Sequence, residues 1–108
     1  VDLTGMVDKD AALESIFRVD KSPEGTVKQR MDCGYPCAGE IDMTAFFKGL
    51  PEDKWIHAAI PLSCFAKSGV DLSRITSPMV LLSSEPFVIT LKDLRITPHP
   101  AEDMLIGC

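Results

Sequence analysis

The segment "VKQRMD", residues 27–32, sets the fold class of this chain because its polarity alternates from one residue to the next. Val27, Gln29 and Met31 share one parity, whereas the residues between them are charged. Successive side chains of a β-strand point to opposite faces of the sheet. The pattern therefore predicts a strand with one face in the core and the other in water.

Segments on either side of this strand also have the composition of strands. Residues 12–19, "ALESIFRV", are a less regular candidate, and "SPEG" at residues 22–25 is a good turn, which predicts that strands 12–19 and 27–32 pair as a hairpin. Residues 55–62, "WIHAAIPL", are apolar on both parities, as expected of a strand that is covered on both faces. Pro61 should end its ladder of hydrogen bonds.

The C-terminal half predicts one further pair of strands. The segments "MVLLS" (79–83) and "FVITLKDLRI" (87–96) flank a turn and are expected to pair with each other. Within the second segment, Leu94 and Ile96 have the parity opposite to that of the earlier apolar residues. A β-bulge near Lys92 and Asp93 would return them to the core face.

Helical signal is confined to two short connections. Asp42 can cap a turn over residues 43–48 that ends at Gly49, and Ser63 can cap residues 64–68. The predicted class is therefore all-β, most economically an antiparallel β-sandwich. The residues predicted to lie in its core are Met31, Trp55, Ile60, Phe65, Ile89 and Leu91.

Length and charge restrict what the chain can bind. Its 108 residues are enough for one domain with a modest core. The formal net charge is −5 and the 11 basic residues are scattered, so the electrostatic footprint of a nucleic-acid binder is missing. No apolar run approaches the roughly 20 residues that cross a bilayer, and a membrane partner is not expected. The net charge does not exclude neutral ligands such as sugars, because proteins bind them through hydrogen bonds and aromatic rings.

Cys33 and Cys37 enclose the tripeptide Gly-Tyr-Pro. Thioredoxin-type redox pairs and most zinc knuckles have two residues between their cysteines, not three. Because the pair follows a strand and encloses residues that suit a tight loop, a structural disulfide is favoured over free thiols or a metal site, given an oxidising compartment. Pairing between Cys64 and Cys108 is possible, and a simply buried Cys64 is the alternative. The chain has four other potential zinc ligands, namely Cys64, Cys108, His57 and His99. None of them stands at the spacing of paired zinc ligands.

Two aromatic residues are candidates for contact with a sugar. Trp55 is the one tryptophan, but it opens an apolar strand, where a large aromatic residue is more often part of the core. Tyr35 lies at the tip of the loop between Cys33 and Cys37 and is the better candidate for an exposed ring. For Tyr35 itself, a plain packing role in the loop is favoured over contact with a sugar.

No catalytic, metal or cofactor site is predicted. The chain has no GxSxG, HExxH or glycine-rich phosphate loop, and the sequence places no two carboxylates across a cleft. Asp8 and Asp10, with nearby Asp2 and Asp20, could hold a structural Ca²⁺ through carboxylate oxygens. No loop has the recognised ligand spacing, so a solvated turn is favoured there.

Four segments together resemble a known family: "VDLTG" (1–5), "MDCGYPCAGEIDMT" (31–44), "WIHAAIPLSCFAKSGVDLSRITSP" (55–78) and "FVITLKDLRI" (87–96). They are similar to the C-terminal β-sandwich domain of ExoP-type family-3 glycoside hydrolases, the bacterial exo-β-glucanases and β-glucosidases. The likeness covers nearly the whole chain, and residues 55–78 are its most specific part. It implies a jelly-roll fold like that of galactose-binding-like domains and carbohydrate-binding modules, with further strands before the position that matches Val1.

The resemblance also implies a function. Residues 1–97 would form a non-catalytic accessory domain of an exported β-glucan-degrading enzyme, and residues 98–108 an extended tail. The domain would pack on the catalytic domains of the same polypeptide and help to shape or stabilise their substrate cleft. An autonomous carbohydrate-binding module for β-glucans is the alternative, and a structural interaction domain is the third. The first interpretation predicts an apolar docking face and the second a row of exposed aromatic rings.

Overall fold

The computed structural model describes residues 11–98 together with Gly5, Pro100 and Ile106. Within this part of the chain, strands dominate and helices are short connectors. The elements are β1 (Ala12–Lys21), β2 (Val27–Asp32), β3 (Ala38–Asp42), α1 (Thr44–Lys48), β4 (Trp55–Pro61), α2 (Leu62–Lys67), a 3-10 helix (Leu72–Arg74), β5 (Ser77–Ser83) and β6 (Val88–Thr97).

The described strands form two three-stranded sheets. The first sheet has the order β4-β1-β6 and the second β3-β2-β5, and all pairs are antiparallel. Apolar side chains from both sheets and from the two α-helices meet in one core. The prediction of an all-β antiparallel sandwich is confirmed.

Both predicted hairpins are wrong. β1 pairs with β4 and β6 rather than with β2, and β5 pairs with β2 rather than with β6. In both places the turn carries the chain across from one sheet to the other. The two crossings touch, because Thr26 N–H donates to Ser84 Oγ at 2.8 Å and Ser84 N–H donates to Thr26 O at 3.0 Å. A turn signal predicts reversal of the chain, but not which sheet receives the next strand.

The two register predictions are confirmed. Val27, Gln29 and Met31 of β2 are buried, as the alternation indicates. In the β1–β6 pair, Ile16 lies opposite Asp93 and Phe17 lies opposite Leu91, which leaves Lys92 as the extra residue of a β-bulge. The bulge returns Leu94 and Ile96 to the inner face, where they pack against the core.

Aromatic rings fill one end of the core. Phe17 lies 5.5 Å from Phe47, and Phe47 lies 5.7 Å from Phe87, as measured between ring centroids. These inclined arrangements are favoured by aromatic quadrupoles. The rings connect β1 with α1 and with the segment that leads into β6.

Most of the predicted core residues lie where expected. Met31, Ile60 and Phe65 are buried, and Ile89 is partly buried against the core. The predictions for Trp55 and Leu91 are wrong, since these side chains are 49% and 48% exposed. Both belong to outer strands of the first sheet, so their neighbours on one side are missing among the described strands. The first half of β4 is therefore not covered on both faces.

The two α-helices begin differently from each other. The Asp42 carboxylate accepts a hydrogen bond from Thr44 N–H at 2.9 Å, but the N-cap of α1 is Met43, one residue later than predicted. The helix ends before Gly49, as predicted. Ser63 does not cap α2 but lies inside it, because that helix already begins at Leu62. Leu62 N–H donates to the Ala11 carbonyl at 3.0 Å, so one helix-start donor is satisfied by backbone instead of a side-chain cap. No helix of the described residues is long and apolar enough to cross a membrane.

Candidate functional site

The loop between β2 and β3 is held closed at several points. Cys33 and Cys37 form the predicted disulfide, with 5.0 Å between their Cα atoms. Cys33 N–H donates to Cys37 O at 2.9 Å, and Cys37 N–H donates to Gly34 O at 2.7 Å. Gly34 has a φ of +89°, which a residue with a side chain rarely adopts. Its N–H donates to Thr76 Oγ1 at 3.2 Å, so the loop is also tied to the segment before β5.

Tyr35 stands at the tip of this loop and is fully exposed, so the packing role favoured for it in the sequence analysis is wrong. Beside the ring lies a cleft of about 270 Å³ on the second sheet. We call it the Tyr35 cleft. Its lining residues are Arg30, Asp32, Tyr35, Pro36, Cys37, Ala38, Glu40 and Thr76.

Three polar side chains of the Tyr35 cleft form ion pairs, two with each other and one with a neighbouring lysine. Arg30 Nε lies 2.7 Å from Asp32 Oδ1. Glu40 Oε2 lies 3.7 Å from Lys28 Nζ, and both of these side chains are largely exposed. Exposed pairs of this kind are weak, so Glu40 remains open to a further hydrogen-bond donor. Arg30 has five N–H donors, and a single carboxylate uses only some of them.

The second aromatic candidate, Trp55, lies on the outer face of the first sheet instead of in the core. Its indole ring is covered by two cations: Arg18 Cζ lies 5.1 Å and Lys92 Nζ 5.4 Å from the ring centroid. Arg18 donates to the Asp20 carboxylate, which also accepts a hydrogen bond from Thr90. Trp55 is therefore one member of a network of side chains on this face.

Glu14 lies next to that network and was not recognised in the sequence. Its side chain is only 4% exposed, although the alternation of β1 places it on the outer face. His57 Nε2 of β4 is hydrogen-bonded to Glu14 Oε1, and Arg95 Nη2 of β6 donates to the same oxygen at 3.0 Å. One carboxylate thus joins the three strands of the first sheet.

The electrostatic surroundings keep Glu14 ionised. A hydrogen bond from the Thr97 side chain is the largest cause of its lowered pKa. Together with the contacts to His57 and Arg95, it outweighs burial and brings the pKa of Glu14 from 4.5 to about 2. A carboxylate with this pKa carries no proton to donate near neutral pH, so Glu14 is suited to structure and not to general acid catalysis.

Metal ligation finds little support in the described residues, among which no group of three His, Cys, Asp or Glu side chains could hold a metal ion. Asp2, Asp8 and Asp10, named for Ca²⁺, lie outside the described residues. Asp20, the fourth candidate, is hydrogen-bonded to Arg18 and Thr90.

Of the potential zinc ligands named from the sequence, His57 binds Glu14. Cys64 is disulfide-bonded, so it is not the simply buried thiol considered as an alternative. Cys108 and His99 lie outside the described residues.

A second cleft lies where the start of β5 faces the end of β6. Its volume is about 260 Å³, and its walls are mainly apolar. The lining residues are Leu13, Ile75, Thr76, Pro78, Leu94, Arg95 and Ile96. We call it the apolar cleft.

At the opposite edge of the first sheet, Ile106 N–H donates to Ala59 O at 2.8 Å. This hydrogen bond brings a residue of the C-terminal segment against β4.

Comparison with known families agrees with this geometry: residues 1–96 match the Exop_C family, described as galactose-binding domain-like. The chain belongs to this family. Its resemblance to ExoP-type C-terminal domains, inferred from the four segments, is thereby confirmed. No curated protein matches the chain.

Two solved structures from a Pseudoalteromonas species are similar to this Exop_C chain. The extra C-terminal domain of exo-1,3/1,4-β-glucanase (ExoP) superposes with a TM-score of 0.70 and 25% identity, over 92% of this chain and 53% of that one. The structure of ExoP itself gives a TM-score of 0.72 at 23% identity, over 98% of this chain and 12% of that one. The chain thus spans about half of the ExoP domain structure.

Proposed function

We propose that this Exop_C chain is a non-catalytic accessory domain of an exported β-glucan-degrading glycoside hydrolase. It packs on the catalytic domains of the same polypeptide and helps to shape or stabilise their substrate cleft. The observation that carries the proposal is the similarity to the extra C-terminal domain of ExoP, which extends over 92% of the chain at 25% identity. The disulfide between Cys33 and Cys37 supports an oxidising, exported location.

The hydrogen bonds of the buried carboxylate support a structural role for it, and its ionised state excludes the role of the acid. A glycosidase needs two carboxyl groups across the scissile bond, one of them protonated so that it can act as the acid. Glu14 is the buried carboxylate of the first sheet, and its lowered pKa keeps it ionised. Its hydrogen bonds are directed to side chains of the sheet rather than towards a cleft.

The apolar cleft supports the packing role. It lies at the outer strands β5 and β6, and several core residues on these strands are only partly buried. Their remaining apolar surface would be removed from water by a neighbouring domain, which is the usual driving force for such contacts. The occupant that we assign to it is a catalytic domain of the same polypeptide, and the similar region of ExoP is likewise part of one much longer chain.

An autonomous carbohydrate-binding module is the second candidate, and the exposure of Tyr35 and Trp55 favours it. These rings belong to different sheets, however, so they do not form the row of platforms that a sugar chain would follow. The Trp55 ring is also covered by Arg18 and Lys92. The accessory role therefore stands first.

The proposal is tested in the whole enzyme, the polypeptide that contains this chain, with two matched substitutions of exposed apolar residues. Pro78→Asp places a charge in the apolar cleft, whereas Val88→Asp places one on an outer strand away from that cleft. We expect Pro78→Asp to lower the melting temperature and glucan turnover of the whole enzyme, with Val88→Asp close to wild type. The 108-residue chain alone should hydrolyse neither laminarin nor cello-oligosaccharides. Hydrolysis by the chain alone, or equal behaviour of the two variants, would refute the proposal.

A further inference from the structure

We propose that the Tyr35 cleft is a weak binding subsite for one or two units of a neutral glucan chain. The choice of a glucan as ligand rests on the proposed function above. The site itself rests on three features of the described residues: a fully exposed aromatic ring, a rigid loop that presents it, and hydrogen-bonding side chains beside it.

The Tyr35 ring contributes no buried surface to the fold. Tyr35 is 101% exposed, so its side chain buries no surface against the domain. Its loop is nevertheless closed by the Cys33–Cys37 disulfide and tied to Thr76 through the Gly34 N–H. Because the loop backbone is already held, a stacking ligand has to restrict only the χ1 and χ2 rotations of Tyr35, and this limited entropy cost favours binding.

The polar lining suits hydroxyl groups. A sugar hydroxyl donates one hydrogen bond and accepts others, so its site needs donors and acceptors together. The Tyr35 cleft supplies guanidinium N–H groups from Arg30, a hydroxyl from Thr76, and carboxylate oxygens from Asp32 and Glu40. With one cation and two carboxylates, the lining disfavours an anionic sugar and accepts a neutral one.

Trp55 does not offer an equivalent site. Arg18 and Lys92 lie over its ring, and these cations compete with a sugar for stacking on it. The two exposed aromatic residues thus provide a natural control for each other: the same kind of substitution removes a free ring in one case and a covered ring in the other.

One ring with a few hydrogen bonds predicts a dissociation constant in the millimolar range, as expected for a small contact. Such affinity is useful on an attached domain. A site tethered to a catalytic domain meets the same substrate chain at an effective concentration that reaches the millimolar range. The subsite would therefore help to retain a glucan chain near the catalytic domains while adding little affinity in isolation.

The experiment is a titration of the ¹⁵N-labelled 108-residue chain with laminarihexaose and cellohexaose, followed by amide chemical shifts. We expect shifts at Gly34, Ala38 and Glu40, with millimolar affinity. Tyr35→Ala should weaken binding by roughly tenfold, which is the loss of one stacking contact. Tyr35→Phe keeps the ring and should retain most of the affinity, and Trp55→Ala should bind like wild type.

Several outcomes would overturn the inference. These are the absence of shifts in the Tyr35 cleft at tens of millimolar ligand, an equal loss of binding in Trp55→Ala, or equal binding of acidic oligogalacturonates. If Tyr35→Ala instead disturbs docking on the catalytic domains without any sugar-induced shift, the ring is a protein contact and the subsite is refuted. None of these results changes the comparison of Pro78→Asp with Val88→Asp, so the accessory role is judged separately.

Discussion

Trp55 and Tyr35 are both exposed aromatic residues, but their surroundings differ completely. The Trp55 ring lies on the first sheet under Arg18 and Lys92. Tyr35 extends from a covalently closed loop at the second sheet, with its side chain 101% exposed. Exposure alone therefore does not make a ring available to a ligand. What matters is whether the neighbouring side chains already occupy its faces.

The same contrast extends to the two polar regions around these rings. On the first sheet, Glu14 is buried and its contacts join strands, so its charge contributes to the stability of the fold. On the second sheet, Glu40 is exposed and its Oε2 lies 3.7 Å from Lys28 Nζ. We therefore expect substitutions on the first sheet to affect stability and substitutions at the Tyr35 cleft to affect binding.

Replacement of the buried carboxylate should have the largest effect. Glu14→Ala removes a charged hydrogen-bonding group shared by β1, β4 and β6, and we expect the free energy of unfolding to fall by about 3 kcal/mol. Glu40→Ala is the matched control and should cost less than about 1 kcal/mol, as exposed ion pairs do. Urea denaturation followed by circular dichroism measures both. Equal losses would show that the two regions do not differ in this way.

Acid should remove part of the same stabilisation. The pKa of Glu14 is 4.5 when unperturbed and about 2 in the fold, so its contribution is present above pH 4.5 and is lost as the pH falls towards 2. We expect a loss on the order of 2 kcal/mol across this interval, reduced by solvent screening. The Glu14→Gln variant does not titrate, so its stability curve should be flatter than that of wild type. Parallel curves would assign the acid sensitivity to other carboxylates.

Opening the loop that presents Tyr35 should have a moderate effect. The disulfide closes only a short loop, so Cys33→Ala/Cys37→Ala should destabilise the chain by at most about 2 kcal/mol. We further expect faster amide hydrogen exchange at Gly34 and Tyr35, with the strands of the first sheet unchanged. A global unfolding of the double variant would mean that the loop has a larger structural role than its contacts indicate.

The smallest effects compare the two rings directly. Trp55→Ala removes two cation–π contacts and should cost about 1 kcal/mol, because such contacts are modest at exposed positions. Tyr35→Ala should leave stability within about 0.5 kcal/mol of wild type, since its side chain buries nothing. Thermal unfolding of the two variants side by side measures the difference. A larger loss in Tyr35→Ala would contradict the availability of that ring.

Local patterns were sufficient for the strands, the bulge and the loop. The alternation in residues 27–32 predicted the burial of β2, and the change of parity before Leu94 predicted the bulge at Lys92. The spacing of Cys33 and Cys37 favoured a structural bridge, and the position of Tyr35 between them made it a better candidate for an exposed ring than Trp55. Each of these features depends on residues that are close together in the chain, where periodicity and turn chemistry act.

The partners of each strand and the side chains around each site required the folded chain. Two good turns led to different sheets, so the predicted hairpins failed, and β4 became an outer strand that exposes Trp55. Nothing in the local sequence singled out Glu14, because its partners His57 and Arg95 come from strands that are distant in sequence. Alternation states which residues share a face, but burial and charge pairing depend on what packs across that face, and only long-range contacts settle this.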